Sequence, residues 1–438
     1  MNLKDRFRKL LELPSGGERL SIGRIKGSLF KREWLSDAEV NHHVHIVGAS
    51  GFGKTVLLTK ILRDRIKRGQ GCLWIDLKGD RESINEMIEV VEKQGRKEDL
   101  RIFSLSHPDL SGNYNLLGNG TATELRDKIV SSLVWSEEFY KSQAMVYLLK
   151  LLVVLCWRRD SLKVPIDLFE VLKGISSEEF MQDLCLSVPS SEVKVKTVAE
   201  DCYHYLAKKE SYQYLSGLRA QLESFTLSDF GEYLRNDEMG IDLFQAVNSQ
   251  KIVFIFLDSR RYGESARSMA KMIIKDLIST SARIDAEVPK LKRKPFVCFI
   301  DEFADIAQED FTAFPDRARS SKMSLVLSHQ ELSDLKRVSE TFYARMTANM
   351  ATLYAFLQSN PDSAEEISKK AGTKAVWKET IRAEKFWFLS LRTGDRSLRE
   401  VEEFHIHPNT VKSLRVGECV VVKKYPTSRA HIVRVDEK

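Results

Sequence analysis

One stretch limits the possible folds of this chain more than any other: a glycine loop with the spacing G-x-x-x-x-G-K-[ST]. It reads Gly48-Ala49-Ser50-Gly51-Phe52-Gly53-Lys54-Thr55, after a short apolar run and before a segment of helical composition. In this order of strand, loop and helix, backbone N–H groups wrap around phosphate oxygens. We expect Lys54 to reach the β- and γ-phosphates and Thr55 to offer its hydroxyl to Mg²⁺. The loop therefore predicts binding of a nucleoside triphosphate.

Composition indicates a globular protein. The 438 residues are 43% apolar and 30% charged, enough for two or three domains with their own cores. No stretch reaches the roughly twenty apolar residues of a membrane span, and the longest candidate, Ala144 to Trp157, contains Lys150. Its apolar residues recur at helical spacing, which predicts a buried helix face. The start of the chain is not typical of a signal peptide, and six cysteines without a C-x-x-C pair indicate a reducing cytoplasm and no metal–thiolate site.

Positive charge is concentrated at the start of the chain. Most of the formal net charge of +6 comes from Met1 to Glu33, a stretch that contains nine basic and four acidic residues. The first part of this stretch, as far as Pro14, has the pattern of a short basic amphipathic helix. Such a stretch is most often solvated surface or packs on a neighbour, and the functional alternatives are contact with nucleic-acid phosphate or with an anionic membrane.

Apolar runs typical of buried strands occur in two parts of the chain. The first part contains Gly71 to Asp76 and Arg101 to Leu105, and the second contains runs beginning near residues 251, 296 and 324. Helical patterns alone fill the stretch between the two parts. The sequence therefore predicts an α/β fold with a largely parallel sheet and an all-helical inserted domain. The predicted domains are a basic N-terminal arm (1–38), the first part of a nucleotide-binding core (39–118), the all-α insert (119–240) and the second part of the core (241–438).

A second acidic element is expected to complete the nucleotide site. Only one of the strands that end in aspartate continues with another carboxylate, giving Phe296 to Ile300 followed by Asp301-Glu302. We expect Asp301 to hold the Mg²⁺ shell and Glu302 to polarise the attacking water. This pair is typical of a hydrolase, and the chain lacks an N-K-x-D guanine signature, so ATP is favoured over GTP.

Two further side chains are candidates for catalysis. Gln330 follows the strand Ser324 to Leu327, where an amide can contact both a γ-phosphate and the water. Basic residues at 317–322 precede that strand, and an arginine there is a candidate for a trans-acting finger that stabilises transition-state charge. Each arginine is also compatible with a surface helix charge. Another motif, Asp76-Leu77-Lys78-Gly79-Asp80, follows the strand after the loop helix. The sequence leaves open whether Lys78 and Asp80 form an ion pair or contact a neighbouring subunit.

Taken in order, these motifs resemble those of the TraG/TraD-like coupling proteins of type IV secretion and conjugation, within the FtsK/HerA class of DNA-pumping ATPases. Further similar stretches are Tyr114-Asn115-Leu116-Leu117, close to the family's N-P-L element, and Leu414 to Val421, close to its closing L-x-x-G-E strand. Leu77 stands where the family's D-P-K-G-[DE] motif usually has proline. The likeness extends from about Asn41 to Val422.

The resemblance implies a RecA-like P-loop ATPase that works as a homohexamer, assembled alone or on DNA or a partner. Its ATP sites would lie between subunits, and sequence-independent DNA contact would occur in the central channel. The implied partners are a relaxase or relaxosome and the proteins of a secretion channel. By position, Lys54, Glu302, Gln330 and Arg319 would be catalytic, Gly48 to Thr55 would bind nucleotide, and Thr55 and Asp301 would hold Mg²⁺.

The family's members mostly begin with two transmembrane helices, and this sequence shows none. Either those helices have been removed from this sequence, or the protein is a soluble variant recruited by a separate membrane partner. We expect a cytoplasmic location, with peripheral attachment at the inner face of the membrane as a further option. The leading functional hypothesis is an ATP-driven DNA translocase. Alternatives are a HerA/FtsK-like DNA-processing motor, a protein-secretion ATPase, or a non-motor docking module that passes a relaxase to a channel.

Overall fold

A computed structural model describes residues 19–386 and 389–436 of the chain. The predicted amphipathic helix before Pro14 lies outside the described residues. The strands are β1 (Arg19–Ile25), β2 (Arg32–Ser36), β3 (Val44–Val47), β4 (Gly71–Asp76), β5 (Leu100–Ser104), β6 (Ile252–Phe256), β7 (Phe296–Ile300), β8 (Met323–His329), β9 (Thr352–Ala355), β10 (Thr373–Phe386), β11 (Leu389–Phe404), β12 (Glu418–Lys423) and β13 (Arg429–Val435).

Helices fill the remaining regular structure of the described residues. They are α1 (Asp37–Asn41), α2 (Lys54–Lys67), α3 (Arg81–Lys93), α4 (Ala122–Ser132), α5 (Glu138–Leu162), α6 (Leu168–Ser176), α7 (Glu178–Ser187), α8 (Val193–Leu206), α9 (Lys209–Tyr214), α10 (Ser216–Thr226), α11 (Leu243–Ser249), α12 (Ser259–Glu287, kinked at Gly263), α13 (Ala313–Ala318), α14 (Glu340–Asn349), α15 (Pro361–Ala371) and α16 (Pro408–Val411).

The chain divides into two compact units. Unit 1 contains the described residues of Met1–Ile61, Gln330–Asp334 and Thr347–Lys438. Its strands follow the order β2-β1-β13-β12-β9-β3, antiparallel except for the parallel pair of β9 and β3. The long hairpin of β10 and β11 also belongs to this unit. Strands β1 and β2 lie within residues 1–38, the range predicted as an N-terminal arm, and both pair within this sheet.

Unit 2 contains Leu62–His329 and Leu335–Met346. Its strands follow the order β8-β7-β4-β6-β5, and every pairing is parallel. All residues of β4, β6, β7 and β8 are buried. Such continuous apolar strands are typical of a parallel sheet, so the prediction of a largely parallel α/β fold is confirmed.

The helical part of unit 2 lies between β5 and β6. Over residues 105–251, all of which the structure describes, the chain forms helices and no strand. The predicted boundaries of the insert at 119 and 240 stay predictions. Lys128 on α4 donates to Asp276 on α12 over 2.6 Å, and the Tyr114 hydroxyl donates to the same carboxylate over 2.8 Å. These buried contacts fix the first helix of this region against α12.

Helix α5 is long and has an apolar central part. Within the described part of the chain, it alone has the length and composition of a membrane-crossing helix: it has 25 residues, and its most apolar 18-residue stretch has a mean hydropathy of 1.4. Its buried side chains include Tyr147, Leu148, Leu151 and Leu152. The predicted buried face of this helix is thus confirmed, since these residues pack inside the protein.

Candidate nucleotide-binding site

The glycine loop lies in unit 1 between β3 and α2. All four residues of β3 are buried, and α2 begins at Lys54. Three loop glycines have positive φ angles: 155° at Gly48, 79° at Gly51 and 113° at Gly53. The strand, loop and helix therefore occur in the order that the sequence predicts, with the first turn of α2 at the end of the loop.

Lys54 is folded back over its own loop. Its ammonium donates to the carbonyl oxygens of Gly48, over 2.5 Å, and Ala49, over 3.3 Å. The residue is 6% exposed, whereas Thr55 next to it is exposed. A buried ammonium held above a ring of loop backbone is suited to attract an anion, and the exposed hydroxyl is available to a cation.

The loop is packed against the segment that follows β9. A Cβ atom on Gly48 would lie 2.5 Å from Cβ of Phe356, a separation that real Cβ atoms essentially never show. The Ala49 amide donates to the Leu357 carbonyl over 2.9 Å. Glycine at position 48 is therefore required by close approach as well as by backbone angle. Sequence reasoning missed Phe356, which no motif marks.

Two other predicted elements contact the loop within unit 1. The Gly48 amide donates to the carbonyl of Gln330 over 2.9 Å, and that carbonyl also accepts from the Gln358 side chain. The amide of Gly417, in the predicted L-x-x-G-E element, donates to the carbonyl of Phe52 over 3.1 Å. The backbone of Gln330 is thus held beside the start of the loop, and its side chain is exposed.

The acidic pair lies in unit 2 at the end of β7. Asp301 is 2% exposed, and its amide donates to the carbonyl of Ile75 on the neighbouring strand β4. Glu302 has a left-handed backbone with φ of 53°. Because β4 and β7 are parallel, Asp76 at the end of β4 and Asp301 share one edge of the sheet. Ligand crevices of parallel α/β sheets open at this edge.

Lys78 bridges the two carboxylates of the acidic pair. Its ammonium lies 3.0 Å from Oδ2 of Asp301 and 3.0 Å from Oε1 of Glu302. Although burial lowers the pKa of Lys78, the charges of the two carboxylates more than offset this, and the net pKa is raised. An ion pair between Lys78 and Asp80, one of the two open alternatives, is wrong: Asp80 caps α3 by accepting from the Ser83 amide over 3.0 Å.

Asp76 is a buried acid in the same cluster. Burial, followed by the negative charge of Asp301, raises its pKa to about 6, against the opposing effect of Lys78. Its Oδ1 accepts from the Lys78 amide over 2.8 Å. A shifted titration inside a crevice is typical of functional sites, and here its cause is a dense group of carboxylates around one lysine.

Arg319 lies in the turn between α13 and β8. Its side chain is exposed, like that of Arg317 on α13, and its carbonyl accepts from the Lys322 amide. Exposure is compatible both with a finger directed at another subunit and with a surface charge, so the predicted role of Arg319 stays a prediction.

Comparison with known sequences gives two findings. The family model described as the TraM recognition site of TraD and TraG matches residues 295–412. The type 4 coupling protein DotL of Legionella pneumophila is 22% identical over 399 residues, which cover 79% of this chain and 51% of DotL. The chain thus spans about half the length of this curated relative.

Solved structures agree with these matches in fold. The unbound coupling protein TrwBdeltaN70 has a TM-score of 0.68 at 14% identity, over 99% of this chain and 91% of that one. TrwB in complex with ADP and Mg²⁺ has a TM-score of 0.64 at 15% identity, over 97% and 95%. VirB4 of Thermoanaerobacter pseudethanolicus has a TM-score of 0.60 at 14% identity, over 96% and 97%. In its RecA-like fold, its motifs and these matches, the chain is similar to the coupling proteins of type IV secretion systems.

Proposed function

We propose that this chain is a Mg²⁺-dependent ATPase that couples hydrolysis to DNA transfer, recruiting relaxase-bound DNA to a type IV secretion channel. The observation that carries the proposal is that one chain contains both an intact phosphate loop and the consecutive carboxylates Asp301 and Glu302 at the end of a buried strand. The solved complex of the relative TrwB with ADP and Mg²⁺ supports the choice of cofactors.

The residues predicted to bind nucleotide and metal are of types that suit a magnesium nucleotide. Lys54, folded over the loop, and the backbone of Gly48 to Thr55 would bind the phosphates. The Thr55 hydroxyl and the Asp301 carboxylate are hard oxygen ligands of the kind Mg²⁺ prefers, so they would hold the ion. When bound, the ion neutralises charge on the phosphates and orients them for attack.

Three other side chains would serve hydrolysis. Glu302 would accept hydrogen bonds from the attacking water and orient it, and the amide of Gln330 would contact the γ-phosphate. Arg319 would act from one subunit on the nucleotide of the next, in a homohexamer formed alone or on DNA. The DNA contact would be sequence-independent and dominated by phosphate, and the protein would work at the inner face of the membrane beside a membrane partner.

The first test is ATP hydrolysis by purified protein over a concentration series, with no DNA, single-stranded DNA or double-stranded DNA. We expect turnover to rise more than linearly with protein concentration and to increase when DNA is added, because the arginine is supplied in trans. Glu302→Gln is the blank, since it keeps the side chain's shape and removes its charge. Turnover at the wild-type rate in Glu302→Gln would refute the site. Turnover indifferent to DNA would refute the motor and favour the docking module.

Arg319→Ala separates assembly-dependent catalysis from nucleotide binding. We expect it to abolish hydrolysis and leave nucleotide binding by the monomer near normal, measured by titration with a fluorescent ATP analogue. Arg317→Ala is the matched control, because Arg317 is exposed and lies two residues away. Loss of monomer binding in Arg319→Ala would mean that the residue acts within its own subunit.

A further inference from the structure

The loop that carries Lys78 has a backbone fixed on several sides. Gly79 has a φ of 64°, and a Cβ there would lie 2.7 Å from Cβ of Asp258. The Gly79 carbonyl lies 3.0 Å from Nε2 of His107, and the Ser259 amide donates to the Leu77 carbonyl over 2.7 Å. Asp80 then caps α3. The position of Lys78 at the sheet edge is therefore set by the fold and does not depend on a flexible surface loop.

The lysine sits between carboxylates that are much less exposed than it is. Its side chain is 37% exposed, whereas those of Asp301 and Glu302 are 3% and 15% exposed. A surface ion pair of ordinary kind adds little to stability. Here the ammonium instead offsets two carboxylates that are largely withdrawn from water, with the buried Asp76 beside them.

The same two carboxylates have another task in the proposed function. Asp301 would hold the Mg²⁺ shell and Glu302 would orient water, yet Oδ2 of Asp301 and Oε1 of Glu302 are both bonded to Lys78. One region of negative charge cannot be neutralised fully by an ammonium and by a divalent cation at once, because the two cations repel each other at such short range.

Resting on the function proposed above, we propose that Lys78 is a positioning residue that holds Asp301 and Glu302 before the cation binds and is displaced by it. Before the cation binds, Lys78 holds the acidic pair in place and keeps Glu302 from acting on water. When the metal nucleotide binds, the cation takes the place of the lysine. Lys78 is a competitor of the cation, so its loss should favour metal binding even though it removes a stabilising contact.

The test measures Mn²⁺ binding without nucleotide, by electron paramagnetic resonance of the free ion. We expect Lys78→Met to bind Mn²⁺ about tenfold more tightly than the wild type, because two carboxylates lose their internal cation. Lys78→Arg, which keeps the positive charge, should bind Mn²⁺ with the wild-type affinity. Lys251→Met is the matched control, since Lys251 is 30% exposed and pairs with Asp99 over 2.9 Å elsewhere in unit 2; its affinity should equal that of the wild type.

Asp301→Asn separates this inference from the proposed function. It should weaken Mn²⁺ binding in the wild-type background; if it does not, the metal assignment and this inference fail together. If Asp301→Asn weakens binding but Lys78→Met binds Mn²⁺ no more tightly than the wild type, the assignment stands and the exchange is overturned. Lys78→Gln, equally neutral but polar, replaces the methionine variant if the latter does not fold, and the same tightening is expected of it.

Discussion

The buried carboxyl of Asp76 gives a pH dependence of stability with a defined sign. The residue is 5% exposed at the end of β4, and burial together with the charge of Asp301 raises its pKa from 3.8 to about 6. In this interval the folded protein holds a proton that the unfolded chain has released. The free energy of unfolding must therefore fall as the pH rises from about 4 to about 6, by about 3 kcal/mol in total at 1.36 kcal/mol for each pKa unit.

Asp76→Asn removes this titration and retains an oxygen that can accept from the Lys78 amide. We expect its free energy of unfolding to exceed that of the wild type by about 3 kcal/mol above pH 7, with the difference vanishing near pH 4. Urea unfolding from pH 4.5 to 8, with divalent cations chelated, measures the difference. The control is Asp80→Asn, because Asp80 is exposed and its pKa is lowered by the Ser83 hydrogen bonds. Parallel pH profiles of the wild type and Asp76→Asn would refute the reasoning.

Two further changes test the packing of unit 1. Gly48→Ala places a methyl group 2.5 Å from Cβ of Phe356. We expect the free energy of unfolding, measured with urea, to fall by about 1–3 kcal/mol. We also expect nucleotide titration to show affinity weakened about tenfold or more. Normal affinity would show that the loop relaxes freely. Lys423→Met leaves the buried carboxylates of Glu33 and Glu39 without their fully buried shared cation and should cost about 3–5 kcal/mol in urea unfolding. A cost below about 1 kcal/mol would mean that the remaining partners of the two glutamates suffice.

Much of the fold follows from local pattern. The apolar runs of β4, β6, β7 and β8 are continuous and bounded by turn residues, so their strands are predictable to within a residue or two. The strand β9 is only four residues long, and β1 and β2 lie in a stretch whose basic charge favoured an arm. A high density of basic residues occurs on the exposed surface of paired strands as well as in extended arms. Charge alone therefore does not distinguish a strand pair from an arm.

The candidate site was predictable in its residue types but not in its contacts. The phosphate loop and the Asp301-Glu302 pair follow from the chemistry of phosphate and magnesium, which needs those side chains at strand ends. The pairing of Lys78 with that acidic pair joins positions 223 residues apart. Nothing local in Asp76-Leu77-Lys78-Gly79-Asp80 says which carboxylate the lysine meets, because that depends on β7 lying next to β4.

The contact between Gly48 and Phe356 shows how the order of strands turns a loop motif into a specific geometry. In unit 1, β3 and β9 are parallel, with Val47 opposite Ala355. The residues that follow these two, Gly48 and Phe356, must then leave the sheet side by side, and only a residue without Cβ fits beside the phenylalanine. The first glycine of the motif is therefore required by the neighbouring strand as well as by the phosphate. Recognition of β9 as the partner of β3 would have made Phe356 predictable, whereas the motif alone could not.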